Sequence, residues 1–366
     1  MYRMDSNIWQ KLPNHILYHI ALFLPFWAII RLRGVSRELK KYFGSKEFLV
    51  DWGRKSHQEV LFFIVTDSLP RQAVAAFSPA LNKWHRLTLS DFSNNAELHR
   101  FHVLTASGGL LCMEKVEWPN QSLIICNPVN RSYRKLPPVP DMQSAYIVGM
   151  AVNADKSGYK VLVVQDGDKL VSQFYDSLCD SWIMGSSTLP GVSMLTDAVS
   201  IEGSMFCLSL PSSILIRYDT EAAEWFDTEV RMPSSMCSPY LIQMAGSLFL
   251  VGGVLESGEM SCVKIWKVDL SLKECVEIQQ MPANLFQNFS WNISPHDFSC
   301  MGEAGFMCFW NVLTGAMLMF NMNGNRWWWA PSCPITCSSP KCTTNNVHNV
   351  YNSSRFVLRP CLFVKA

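Results

Sequence analysis

Two histidines, His15 and His19, stand four residues apart, a spacing that puts both imidazoles on one face of a helix and can hold a metal ion. No carboxylate or thiol accompanies them in the sequence, so they read as an exposed polar strip. Cys333, Cys337, Cys342 and His348 follow a C-x3-C-x4-C-x5-H order, and four such ligands could build a tetrahedral zinc site. Their spacing matches no finger pattern, and the Pro-, Ser- and Thr-rich stretch around them reads as a surface loop that happens to carry thiols. Arg31, Arg33, Arg37, Lys40 and Lys41 form the densest basic cluster, which would suit an acidic partner or nucleic acid but reads more simply as the solvated face of two helices. Arg131, Arg134 and Lys135 read the same way, and basic clusters alone do not indicate base recognition. The triplet Trp327, Trp328 and Trp329 has the look of a ligand platform, yet strand alternation sends Trp328 to the opposite face from the other two and favours packing. There is no Gly-x-Ser-x-Gly elbow, no phosphate-cradling glycine loop and no HExxH, so neither bond chemistry nor a metal or cofactor is expected.

The elements that carry these residues belong to a chain of 366 residues, 49% hydrophobic and 17% charged, long enough for one large core and a small extra unit. With 31 basic against 30 acidic side chains, nothing global draws it to phosphate backbones or anionic membranes. The longest uninterrupted apolar run, Ala21 to Ile30, contains Pro25 and falls well short of the roughly twenty residues a membrane span needs. No export signal is read, and no membrane role is expected. The 13 cysteines are odd in number and mostly solitary, several in apolar strand-like runs, which is how reduced buried thiols look in a protein of the nucleus or cytoplasm.

Up to about Gly53 the signals are helical, and beyond it they are those of strands and turns. The expected division is therefore a helical module over 1–52 and a β domain over 53–366. Pro13, Pro25 and Ser36 mark helix starts, giving three helices over roughly 13–23, 26–33 and 36–43. On the first, Ile16, Ile20, Leu24, Leu17, Ala21 and Phe23 cover an arc of roughly 160°, wider than the roughly 100° stripe one core requires. Phe23 to Ile30 adds eight residues without a charge. So small a unit cannot enclose that surface alone, and a leftover apolar patch marks an interface. The stretch 43–57 holds no low-complexity linker, so the two parts are expected to pack together.

Beyond Gly53 an apolar strand, a turn rich in Asn, Asp, Pro or Gly, and a second strand closed by an aromatic recur. The closing positions are Trp84, Tyr133, Trp182, Trp225, Cys275 and Trp327, separated by 49, 49, 43, 50 and 52 residues. A period near fifty with a late tryptophan fits a six-bladed kelch-type β-propeller, each blade burying its faces against its neighbours. The strands VLFFIVTD (60–67) and RFVLRPCLFV (355–364) lack an aromatic turn of their own and are expected to share one blade that closes the ring.

The residues from Leu12 to Phe43 resemble the F-box, through two Leu-Pro pairs and the intervening spacing at Leu12, Pro13, Ile16, Leu17, Ile20, Leu24, Pro25 and Val35. They depart from it at His15, Ser36, Arg37 and Leu39. The rest is similar to the plant F-box/kelch group through GGLLC (108–112), CNPVNRSYRKLPP (126–138), GYKVLVV (158–164), LFLVGG (248–253), VKIWKVD (263–269) and RWWWAPSCP (326–334). Only one blade carries the Gly-Gly of full kelch repeats, at Gly252 and Gly253.

What the resemblance implies is a non-catalytic substrate receptor of a cullin-based SCF ubiquitin ligase. Leu12, Pro13, Ile16, Leu17, Ile20, Leu24, Pro25, Ile29 and Val35 would contact a Skp-type adaptor, and the propeller would hold an unidentified target protein. The alternative is a non-degradative adaptor, or a module that binds a transcription cofactor, using the same two surfaces.

Overall fold

The computed structural model describes residues 13–55, 59–66, 73–87, 101–115, 122–140, 146–165, 171–187, 189, 192, 194–196, 198–210, 212–290, 298–335, 353–361 and 366. Within them, 24 strands form six four-stranded antiparallel sheets arranged as the blades of a propeller. Blade I pairs β1 (Leu61–Thr66), β2 (Val74–Ser78) and β3 (Lys83–Leu87) with the last strand, β24 (Ser353–Leu358), in the order β24-β1-β2-β3. Blade II runs from β4 (Phe101–Ser107) through β5 (Leu110–Lys115) and β6 (Ser122–Asn127) to β7 (Ser132–Lys135). Blade III holds β8 (Tyr146–Val152), β9 (Tyr159–Gln165), β10 (Val171–Asp176) and β11 (Ser181–Ser187). Blade IV holds β12 (Val199–Ile201), β13 (Ser204–Ser209), β14 (Ile214–Asp219) and β15 (Glu224–Arg231). Blade V holds β16 (Met236–Met244), β17 (Ser247–Glu256), β18 (Glu259–Asp269) and β19 (Glu274–Gln280). Blade VI follows with β20 (Phe298–Glu303), β21 (Phe306–Asn311), β22 (Met317–Asn321) and β23 (Arg326–Trp329).

The ring closes where the two strands without an aromatic turn led the sequence to expect. β24 pairs antiparallel with β1, matching Phe63 to Phe356 and Phe62 to Val357. The Phe63 and Phe356 rings stack 5.0 Å apart, and Phe63 is fully buried. The closing strand comes from the far end of the chain, so completing blade I requires a contact of very long sequence separation, of the kind that slows folding.

One turn recurs between the third and fourth strands of every blade. Six residues before each closing position stands Ser78, Asn127, Asp176, Asp219, Asp269 or Asn321. Each uses its side-chain oxygen to accept backbone N–H groups two or three residues on. Two residues before each closing position the chain enters the left-handed region, at Asn82, Arg131, Asp180, Ala223, Lys273 and Asn325. That geometry turns the chain into the outer strand and drops the closing side chain onto the third strand, opposite Phe77, Cys126, Tyr175, Tyr218, Val268 or Phe320.

In four of the blades the closing residue also ties its blade to the one before. The Trp182 indole donates to the Pro137 carbonyl at 3.0 Å, the Trp225 indole to Ser172 Oγ at 3.2 Å, and the Trp84 indole across the ring closure to the Pro331 carbonyl at 2.6 Å. Cys275 makes the weaker equivalent, its thiol 3.8 Å from the Arg231 carbonyl. These contacts bear out the expected plug between blades and add a polar anchor at its tip.

Before blade I, the described residues form four helices, α1 (Asn14–Ala21), α2 (Phe26–Val35), α3 (Arg37–Tyr42) and α4 (Lys46–Lys55). The first three fall where Pro13, Pro25 and Ser36 placed them, with Ser36 Oγ accepting from the Leu39 N–H at 3.1 Å. The fourth had no reading as a helix. Ser45 Oγ accepts from the Phe48 N–H at 3.3 Å, and Phe48, Leu49 and Trp52 turn to the interior. Phe48 meets Tyr18 and Phe43 edge-on, Tyr18 donates to Asp51 at 2.7 Å, and the Trp52 indole donates to the Leu24 carbonyl at 2.8 Å. α4 is thus the floor on which α1 and α2 rest. A fifth helix, α5 (Ala283–Phe289), connects blades V and VI. Among the described residues no helix is long and apolar enough to cross a membrane.

Candidate docking surface and channel

α1 presents Ile16 and Ile20 as a stripe, and the turn that follows it continues the line with Phe23, at steps of four and three; they are 37%, 38% and 74% exposed. His15 and His19 lie beside the stripe on the outside, and Pro13 is exposed at its start. Leu17, Leu24 and Pro25 are half-buried, so each offers an edge to solvent while holding α1 to the module. Val35 is 70% exposed at the end of α2. Leu12 lies outside the described residues. Ile29 is 2% exposed and belongs to the interior, packed in one core with the other helices and blades I and II.

The neighbouring apolar segment behaves differently from its sequence reading. Phe26, Ile29 and Ile30 are buried in the same core as Phe63, Val65, Val74 and Phe356, so these three side chains of the segment face the chain's own propeller instead of a partner. Trp27 stacks on His85 of β3, ring centroids 4.4 Å apart, and the Arg31 guanidinium lies 5.4 Å from the other ring system of the pair, over Trp27. His85 is 2% exposed, and burial, followed by the nearby charges of Arg31 and Lys83, lowers its pKa to about 4. It is therefore neutral at physiological pH.

The basic cluster also divides. Arg31, Arg37, Lys40 and Lys41 are exposed, whereas Arg33 is 5% exposed and is no part of a solvated face. Its guanidinium donates twice to the Phe43 carbonyl, from Nε at 3.1 Å and Nη2 at 2.8 Å, and from Nη1 to the Val129 carbonyl in the β6–β7 turn. Burial, with Arg131 adding repulsion, lowers its pKa to about 10, which still leaves it charged near neutrality. Arg134 departs from the solvated reading too: it pairs with Asp180 at 2.8 Å, joining blade II to blade III.

The six innermost strands enclose an axial cavity of about 250 Å³. Glu303, Arg355 and Arg359 are the side chains on its wall that can carry charge near neutrality, with the Cys300 thiol beside them. Desolvation raises the Glu303 pKa and the charge of Arg359 works against that rise. The Arg355 guanidinium leans over the Trp310 ring at 5.6 Å, and burial lowers its pKa. The tryptophan triplet is structural at two of its positions. Trp327 stacks on Phe320 at 4.4 Å, while Trp328, on the opposite face, meets Phe306 and donates to Asn82 of blade I at 3.0 Å. Trp329 is 36% exposed. Of the Cys/His run, Cys337, Cys342 and His348 lie outside the described residues; Cys333 is buried beside Trp310 and Met317.

Sequence reasoning missed Arg33 and α4. The signal for α4 was present in Ser45 followed by Phe48, Leu49 and Trp52, an N-cap ahead of an apolar face. No signal distinguished Arg33 from its four basic neighbours, because its burial depends on a turn 96 residues away.

Two family models match the chain: the F-box domain over residues 9–51 and the KIB1-4 beta-propeller over residues 76–323. The chain is similar to Protein UNUSUAL FLORAL ORGANS of Arabidopsis thaliana, 25% identical over 92% of this chain and 81% of that protein. It is equally similar to the F-box/kelch-repeat protein At5g43190 of Arabidopsis thaliana, 25% identical over 90% of this chain and 84% of that one. Protein ABERRANT PANICLE ORGANIZATION 1 of Oryza sativa subsp. japonica is 23% identical, with 90% and 84% covered.

Proposed function

We propose that this chain, which belongs to the KIB1-4 beta-propeller family and carries an F-box domain, is the substrate-recognition subunit of an SCF-type ubiquitin ligase. The observation that carries the reading is the division of the helical module's apolar surface. One side is consumed by blades I and II, yet Ile16, Ile20 and Phe23 still stand in the open, beside the accessible edges of Leu17, Leu24 and Pro25, and Val35 is exposed at the end of α2. A soluble module keeps such a stripe when a partner covers it, and a helix laid into an apolar groove is the matching recognition mode. The partner in this reading is a Skp-type adaptor, and through it a cullin scaffold.

The propeller then holds the target. The receptor performs no bond chemistry; it keeps a target lysine near a charged conjugating enzyme, replacing a rare encounter by a high effective concentration. Buried free thiols such as Cys112, Cys126 and Cys308 support work in the reducing nucleus or cytoplasm, and Gly252 with Gly253 supports a kelch-type blade V.

The test is co-purification with a Skp adaptor, followed by reconstitution with cullin, RING subunit, conjugating enzyme and ubiquitin. The reading expects a stable complex and ubiquitin chains that depend on the chain being present. Adaptor binding without transfer to any target would favour the non-degradative adaptor, and failure to bind a Skp adaptor would end the proposal.

A further inference from the structure

We infer that Arg33 is a positioning residue, setting the angle at which the F-box is held to the propeller and hence where a bound target is presented; the inference rests on the SCF reading above. Arg33 stands at the end of the helix that joins the adaptor-facing side to the propeller-facing side. Its planar fork reaches in two directions at once, to the Phe43 carbonyl within the module and the Val129 carbonyl on blade II. Carbonyl oxygens alone receive these bonds, and among the described residues no carboxylate pairs with it. A buried cation satisfied by backbone carbonyls is held only in the geometry that brings those carbonyls together, and a misplaced fork leaves a charge buried and unmet.

A single tie would leave the module free to pivot, but a second lies on a different blade. Trp27 on α2 stacks flat on buried His85 of blade I, with the Arg31 guanidinium 5.4 Å from the indole ring. Two contacts from one helix to two adjacent blades remove the rotation about either. The Val129 acceptor is itself fixed, since the Val129 N–H is held by Asn127 Oδ1 at 2.9 Å and Asn127 Nδ2 donates to the Cys361 carbonyl at 2.7 Å. The chain from α2 to the closing blade is therefore continuous. Lysine cannot replace Arg33 here, because one ammonium cannot reproduce a fork that bridges two carbonyls.

The experiment uses the full chain with donor and acceptor fluorophores on non-natural residues at Val35 and Leu178, both well exposed, in wild type, Arg33→Lys and Arg33→Ala. The inference expects one narrow transfer-efficiency population in wild type and a broadened or shifted one in both variants, with the propeller's denaturation midpoint retained in Arg33→Lys. In the reconstituted ligase, autoubiquitination of the propeller's own lysines should fall about tenfold or more, or spread to new lysines, while affinity for the Skp adaptor stays within about twofold. Unchanged fluorescence distributions together with unchanged lysine usage in folded Arg33→Lys would overturn the inference. If wild type binds no Skp adaptor, the SCF reading fails, and the fluorescence measurement still decides whether Arg33 sets the angle.

Discussion

Replacing Ile20 by aspartate separates a docking stripe from a structural one. Ile20 is 38% exposed at the centre of the stripe formed with Ile16 and Phe23. Fully burying an isoleucine is worth about 1.5–3 kcal/mol, so covering the exposed two-fifths of this one accounts for about 1 kcal/mol of binding. Ile20→Ala should therefore weaken adaptor affinity about fivefold. Ile20→Asp adds the cost of removing a carboxylate from water without a partner, several kcal/mol, and should weaken binding by about two orders of magnitude or more. The fold loses the packed three-fifths of the side chain, about 1–2 kcal/mol by the same arithmetic, and about 0.5 kcal/mol for aspartate inside a short helix, so urea denaturation must accompany the titration. The contrast is Ile29→Ala, at a position 2% exposed in the module core. That change should cost about 2–5 kcal/mol of stability and leave the affinity of the folded fraction nearly unaltered. Calorimetric titration with a purified Skp adaptor, paired with urea denaturation, reads both quantities. Should Ile20→Asp bind within about threefold of wild type while remaining folded, the α1 stripe is not the docking surface and the argument from its exposure is wrong.

Three further outcomes follow from the same physics. Ala223→Gly relieves a left-handed residue, φ 56°, in the blade IV turn and should raise stability by about 0.5–1 kcal/mol in urea denaturation, the strain relieved exceeding the added freedom of the unfolded chain. Gly109→Ala should do the reverse: at φ 90° its Cβ would collide with Cys361 Cβ and lie 2.7 Å from the Cys361 backbone nitrogen. A loss of about 2 kcal/mol or more is expected, with earlier hydrogen exchange in the segment that follows β24. His85 is held neutral by burial, its pKa lowered from 6.5 to about 4. Between these values the unfolded chain binds the proton and the folded one does not, so stability should fall as pH drops from 6.5 toward 4. His85→Phe should show a shallower loss over that window, and an equal slope in the two proteins would refute the assignment.

How much of this was legible beforehand can be argued residue by residue. The blade period could be read because a closing aromatic is needed once per blade whatever its neighbours are, so Trp84, Trp182, Trp225 and Trp327 announce themselves locally. Cys275 was found by spacing alone, and the structure gives it the weaker anchor its chemistry allows. The sharing of a blade by β1 and β24 was legible from what both lacked, a turn with an aromatic. The deeper regularity, an Asx or Ser acceptor six residues before each closing position and a left-handed residue two before, was written in the sequence but obscured by side chains as unlike as Arg131, Ala223 and Lys273. Only backbone angles reveal that they do the same work.

The open apolar surface of the helical module, by contrast, was read too broadly. A wheel shows which residues share a face but cannot say how many faces find cover. Periodicity is a local property of the chain, and it determined the number of blades, the helix starts at Pro13, Pro25 and Ser36, and the amphipathic nature of α1. Burial is a property of what comes near, and contacts across the fold decided it. The approach of blades I and II drew Phe26, Ile29 and Ile30 inward, buried Arg33 against the Val129 carbonyl, and left Ile16, Ile20 and Phe23 in water.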